Sequence, residues 1–139
     1  MRRRQAAGLL VAGALAVAGC GGGGGQSSRD ESQIRSTLQS YYQAFANGDA
    51  AKACSELASQ TRTQFEQASG GTSCPKALAR ATQRPEVKKV LDRLKSAKVG
   101  QVQVSGDVAT ASVQALGRTT TVPLVKENGA WRIRSPLGG

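Results

Sequence analysis

The sequence predicts an α+β domain in which N-terminal helices pack on one face of a curved antiparallel sheet. Three observations carry this. Apolar residues recur at a helical period from Ile34 to Leu94, and after Lys98 the period drops to two. Turn-forming dipeptides with glycine separate the alternating stretches.

The helices come first. Ser28-Arg29-Asp30-Glu31 reads as a capping box, a serine followed three residues later by a glutamate. Ile34, Leu38, Tyr41, Tyr42 and Phe45 then mark one face of a helix that ends at Asn47-Gly48. Tyr41 and Tyr42 are adjacent, so at most one is expected inside. Asp49 can cap a short helix with Ala51, Cys54, Leu57 and Ala58 on its buried side. Thr61 to Ala68 adds a turn or two with Phe65 inward, and Gly70-Gly71 breaks the chain. Ser73 caps a helix carrying Cys74, Ala77, Leu78 and Ala81. Pro85 ends it and opens the next, whose buried side is Val87, Val90, Leu91 and Leu94.

The strands follow. Val102 and Val104 alternate with Gln101 and Gln103, and Ser105-Gly106-Asp107 turns the chain. Val108 to Leu116 returns, with Ala109, Ala111, Val113 and Ala115 on one face. Gly117 bends the chain into a third strand, Thr119 to Val125, which Pro123 should place at an edge or a bulge. Asn128-Gly129 makes a hairpin, after which Trp131 and Ile133 face one way and Arg132 and Arg134 the other.

Residues 1–19 have the parts of a cleaved signal peptide. Arg2, Arg3 and Arg4 form a basic start, and the 14 uncharged residues from Ala6 to Gly19 are too few to span about 30 Å of hydrocarbon. Val17-Ala18-Gly19-Cys20 resembles the lipobox of bacterial lipoproteins. That resemblance implies a lipid anchor on Cys20 (diacylglyceryl and an acyl chain such as palmitate), and residence on the extracytoplasmic face of the cell membrane. Residues 20–28, Cys20 with Gly21 to Gly25 and Gln26-Ser27-Ser28, read as a flexible tether with a reach of about 16 Å. The domain proper is then 29–139.

Removing residues 1–19 takes the charge from +10 to +7 and leaves one small domain. With Cys20 taken by lipid, Cys54 and Cys74 have one pairing, and an exported domain favours a disulfide between them. A metal or redox pair is the competing reading, which the lack of C-x-x-C and of any histidine weakens. The absence of histidine also removes the usual general base. No cofactor and no metal are expected.

Tyr41-Tyr42-x-Ala44-Phe45-x-Asn47-Gly48-Asp49, a cysteine soon after, and the closing Val125-Lys126-Glu127-Asn128-Gly129-Ala130-Trp131-Arg132-Ile133 hairpin resemble the NTF2-like (nuclear transport factor 2-like) lipoproteins of actinobacteria and related bacteria. The resemblance covers about residues 30–135. It implies a cone-shaped domain whose helices cover the concave face of a bent sheet, often with a pocket between sheet and first helix. Some members of that superfamily are enzymes, such as ketosteroid isomerase and the polyketide cyclases. Here Asp49 lies at a helix boundary and Asp107 in a turn, where capping and turn formation account for them.

Two candidate sites stand beside ordinary explanations. Tyr41, Phe45, Phe65 and Trp131 either line a pocket or fill the core. Lys76, Arg80 and Arg84, four residues apart, form a basic stripe on a helix that Lys88 continues. That stripe either rests on an anionic surface or is a solvated face. The reading is a non-catalytic, lipid-anchored envelope protein that binds a small apolar ligand, an envelope component or a protein partner. The alternative is a pocket enzyme of the isomerase or cyclase type. Nucleic acid is not an expected partner.

Overall fold

A computed structural model describes residues 22–138. The signal segment, the lipobox with Cys20, and Gly21 lie outside the described residues. Five helices precede four strands: α1 (Gly22–Ala46), α2 (Ala50–Ser55), α3 (Ser59–Ala68), α4 (Cys74–Thr82), α5 (Pro85–Leu94), β1 (Lys98–Ser105), β2 (Val108–Ala115), β3 (Arg118–Glu127) and β4 (Ala130–Ile133). The strands form one antiparallel sheet in sequence order. The chain is α+β, as its change of period predicts.

The first helix starts at Gly22, not after Ser28, so the Ser28–Glu31 capping box does not open it and Gly22 to Ser28 are helical. Each helical glycine costs about 1 kcal/mol against alanine. The turns beyond are held from inside: Gln26 Nε2 donates to Asp30 Oδ1 at 3.3 Å, and Glu31 pairs with Arg35 at 2.8 Å. At the other end α1 closes with Gly48 at φ 74°. Gly48 N–H donates to the Phe45 carbonyl and Asp49 N–H to that of Ala44, which satisfies two terminal acceptors. Asp49 Oδ1 then accepts from Lys52 N–H and caps α2.

Ile34 and Leu38 are fully buried against Ala109, Ala111, Val113, Val122, Leu124, Trp131 and Ile133 of the sheet. Both Tyr41 and Tyr42 are buried as well, against the expectation of one. The segment after β4 accounts for this, since the Tyr42 hydroxyl donates to the Pro136 carbonyl at 3.3 Å. Leu57 and Ala58, expected on the buried side of α2, lie beyond it. They run parallel to β4, with Ala58 N–H donating to the Ile133 carbonyl at 2.8 Å and Ile133 N–H to that of Glu56 at 2.9 Å.

β1 carries a bulge between Val99 and Val102, so both valines face the helices. The Gln101 N–H there donates to Ser112 Oγ at 2.8 Å. Pro123 sits in β3, an interior strand, not at an edge or bulge. Its missing donor falls just past the end of β4. Arg134 N–H donates to the Pro123 carbonyl at 2.9 Å, while the Arg134 carbonyl accepts from Thr61 Oγ1 at 2.8 Å. The threonine hydroxyl supplies the donor that proline lacks.

Cys54 and Cys74 form a disulfide, Cα–Cα 6.1 Å, that ties α2 to α4. Among the described residues the apolar core lies between Ile34 and Ile133. Residues 22–138 thus carry their own core and staple and constitute a folding unit.

Candidate functional site

An apolar cleft of about 490 Å³ lies beside the C-terminal half of α1. Its walls are Tyr41 and Phe45 from α1, Leu57, Phe65 from α3, and Leu78 and Ala81 from α4. Thr61, Gln64 and the segment Arg134–Leu137 form its rim. The Tyr41 and Phe45 rings stack at 6.1 Å, one helical turn apart. α3 reaches the cleft because Ala58, pinned to β4, fixes where that helix starts. Disulfide Cys54–Cys74 holds α4 opposite. A mostly apolar concavity of this size with a few polar groups at its mouth is the usual form of a small-molecule site.

Three of the four aromatic residues expected to share a site, Tyr41, Phe45 and Phe65, line this cleft. Trp131 does not. It is 1% exposed, under α1 at the other end of the core. Its backbone carbonyl accepts from Thr37 Oγ1 at 3.2 Å, and its Nε1–H donates to Asp30 Oδ1 at 3.0 Å. The sequence pattern groups aromatics by type and cannot tell which end of a helix each one meets.

Asp30 is a buried acid that sequence reasoning missed. It is 5% exposed, and Oδ1 also takes Lys126 Nζ at 2.9 Å, an ammonium that lies 5.6 Å from the Trp131 ring centre. The hydrogen bonds from Trp131, then Lys126, hold the carboxyl below the usual carboxylate range, against the opposing effect of burial. Helical spacing from Ile34 puts position 30 on the buried face, so the signal was an acid where an apolar residue was due. The second buried carboxylate, Glu56, pairs with Lys52 at 3.0 Å and Arg132 at 3.5 Å. Neither carboxylate lines the cleft.

Within the cleft the titratable side chains are Tyr41 and Arg134. Burial, with the adjacent Tyr42 adding to it, pushes the Tyr41 phenol well above its ordinary range. It stays neutral at physiological pH and can donate one hydrogen bond. Among the described residues no three Cys, Asp or Glu side chains converge as metal ligands would.

The basic residues are rearranged. Lys76 and Arg80 lie on α4, which ends at Thr82. Arg84 is extended (ψ 135°) at the junction and Lys88 belongs to α5, so the four do not form one helical stripe. Pro85 causes the break, because it excludes helical backbone at the residue before it. All four side chains are exposed. Among the described residues no helix is long and apolar enough to cross a membrane. No family model, curated protein or solved structure matches the chain.

Proposed function

We propose that this chain is an exported, lipid-anchored envelope protein whose NTF2-like domain binds a small apolar ligand in the α1–α3–α4 cleft without catalysis. The cleft carries the reading: about 490 Å³ walled by Tyr41, Phe45, Leu57, Phe65 and Leu78, open to solvent, with one neutral phenol to orient a guest. Binding is favoured over proton transfer because the two buried carboxylates are bound to cations elsewhere, Asp30 to Lys126 and Glu56 to Lys52 and Arg132. The isomerase or cyclase type of chemistry would need a carboxylate facing this space. What supports the NTF2-like reading is the order of elements, helices on one face of an antiparallel meander, with the Tyr41–Asp49 and Val125–Ile133 motifs at its two ends. The lipid anchor rests on the Val17–Cys20 motif alone.

Two variants test the two halves of the reading. Ala81→Phe fills the cleft from a half-buried position of α4. It should keep the thermal stability of the domain while abolishing the fluorescence gain of an apolar probe such as N-phenyl-1-naphthylamine. An unchanged probe signal in Ala81→Phe would remove the cleft from the account. Cys20→Ala should release the protein from membranes or leave its signal uncut, and normal processing and fractionation would refute the anchor.

A further inference from the structure

We propose that the end of the domain formed by the β2–β3 turn and the C-terminal part of α5 docks on an anionic phospholipid surface, with Leu116 as its apolar anchor. The first observation is a backbone anomaly. Leu116 and Gly117 make a two-residue hairpin turn with φ of 54° and 76°. Positive φ at both central positions suits Asn-Gly, the pair that the β3–β4 hairpin uses at Asn128 (49°) and Gly129 (79°). A leucine in that region is strained, since its Cβ crowds the following carbonyl. Leu116 nonetheless keeps 39% of its surface exposed.

The second observation is charge. Arg93, Ser96, Lys98 and Gln114 share one shallow depression of about 380 Å³ with Leu116 and Gly117. Arg118 opens β3 beside the turn. Arg93, Lys98 and Arg118 are all exposed, and none has an ion-pair partner among the described residues. Asp92, the acid nearest in sequence, is held by Lys95 at 3.0 Å. Four other cations are matched, Arg35 with Glu31, Lys52 and Arg132 with Glu56, and Lys126 with Asp30, while Arg29, Arg62, Lys76, Arg80, Arg84 and Arg134 also have no ion pair among the described residues; what sets this end apart is the apolar Leu116 beside its cations. Lys88 and Lys89 extend the unmatched positive surface along α5.

A part-exposed leucine beside the unpaired Arg93 and Lys98 fits a surface with anionic headgroups above an apolar layer. A soluble polyanion would engage the cations and leave the strained leucine without a role. This face is separate from the cleft. It rests on the proposed lipid anchor only for the nearness of a membrane.

The test uses residues 22–138, which lack Cys20, so that no lipid anchor contributes. The domain should co-sediment with phosphatidylglycerol vesicles at low salt, leave phosphatidylcholine vesicles alone, and dissociate as salt shortens the Debye length. Neutralising Arg93 or Lys98 with glutamine should weaken binding about fivefold each. Leu116→Asn, which relieves the turn, should raise Tm yet weaken vesicle binding about tenfold. A wild-type domain that ignores anionic vesicles at low salt overturns the proposal and leaves the Cys20 anchor untouched. Binding that is indifferent to both Leu116→Asn and the Arg93 and Lys98 changes also overturns it. Equal affinity for a soluble polyglycerol phosphate, with no loss in Leu116→Asn, would make this a polyanion site and refute the membrane assignment.

Discussion

Removing the disulfide gives the sharpest energetic test of how the fold is held. Cys54 and Cys74 are both buried and 20 residues apart in sequence, and their bond is the covalent link between α2 and α4. In the chain-entropy account a closed loop of about 20 residues stabilises by about 3 kcal/mol. Unfolding residues 22–138 releases about 0.25 kcal/mol per degree at about 2.1 cal/mol/K per residue, so Cys54→Ala/Cys74→Ala should lower Tm by about 12 °C. The void left by two sulfurs adds a little to that loss. Thermal denaturation followed by circular dichroism measures it. Wild-type protein held in reductant should melt close to the double variant. A double variant within about 3 °C of oxidised wild type would refute the reasoning, as would two free thiols in natively exported protein.

Two further perturbations probe the interior. Asp30 has a depressed folded-state pKa, so its contribution is present above its unfolded value near 3.8 and lost as pH falls through the folded one. Asp30→Asn should therefore lower Tm at pH 7 and flatten the loss of stability below about pH 4; an unchanged acid limb in Tm against pH would contradict this. Gly100→Ala drives a methyl against Ser112 Oγ and forces that hydroxyl off the Gln101 N–H, at about 1 kcal/mol in urea denaturation. Combined with Ser112→Ala, the two losses should be less than additive, and full additivity would mean that the bulge does not couple them.

Much of the fold could be read from periodicity. The face Ile34, Leu38 and Tyr41 and the alternation through Ala109, Ala111 and Val113 appear in the structure as apolar spacing implies, and α5 opens at Pro85 as expected although its apolar side is only half-buried. The misses share one cause, which is that tertiary contacts set the local outcome. Pro123 is tolerated inside the sheet because β4 ends opposite it and Thr61, from another element, completes the hydrogen bonding. Tyr42 is buried by a segment 94 residues away, which no helical repeat can signal.

The candidate site was legible by half. Tyr41, Phe45 and Phe65 converge because two lie one turn apart on α1 and the third sits on a helix fixed by the β4 pairing. Trp131 was grouped with them by residue type, and it went to the other end of the core because its indole N–H found Asp30. Leu57, Leu78 and Ala81 were read as buried helix positions, yet they wall the cleft. Core and pocket residues have the same composition and differ only in whether another element covers them.

The central claim is that the α1–α3–α4 cleft takes an apolar guest, and the most direct measurement is an NMR titration of residues 22–138 with 1-decanol. Methyl and amide shifts should move in a saturable way at Leu57, Phe65, Leu78 and Ala81, which wall the cleft, and stay still at Ile34 and Val122, which are fully buried in the core. Shifts confined to the exposed apolar residues Val108 and Leu116, or none at all, would contradict it.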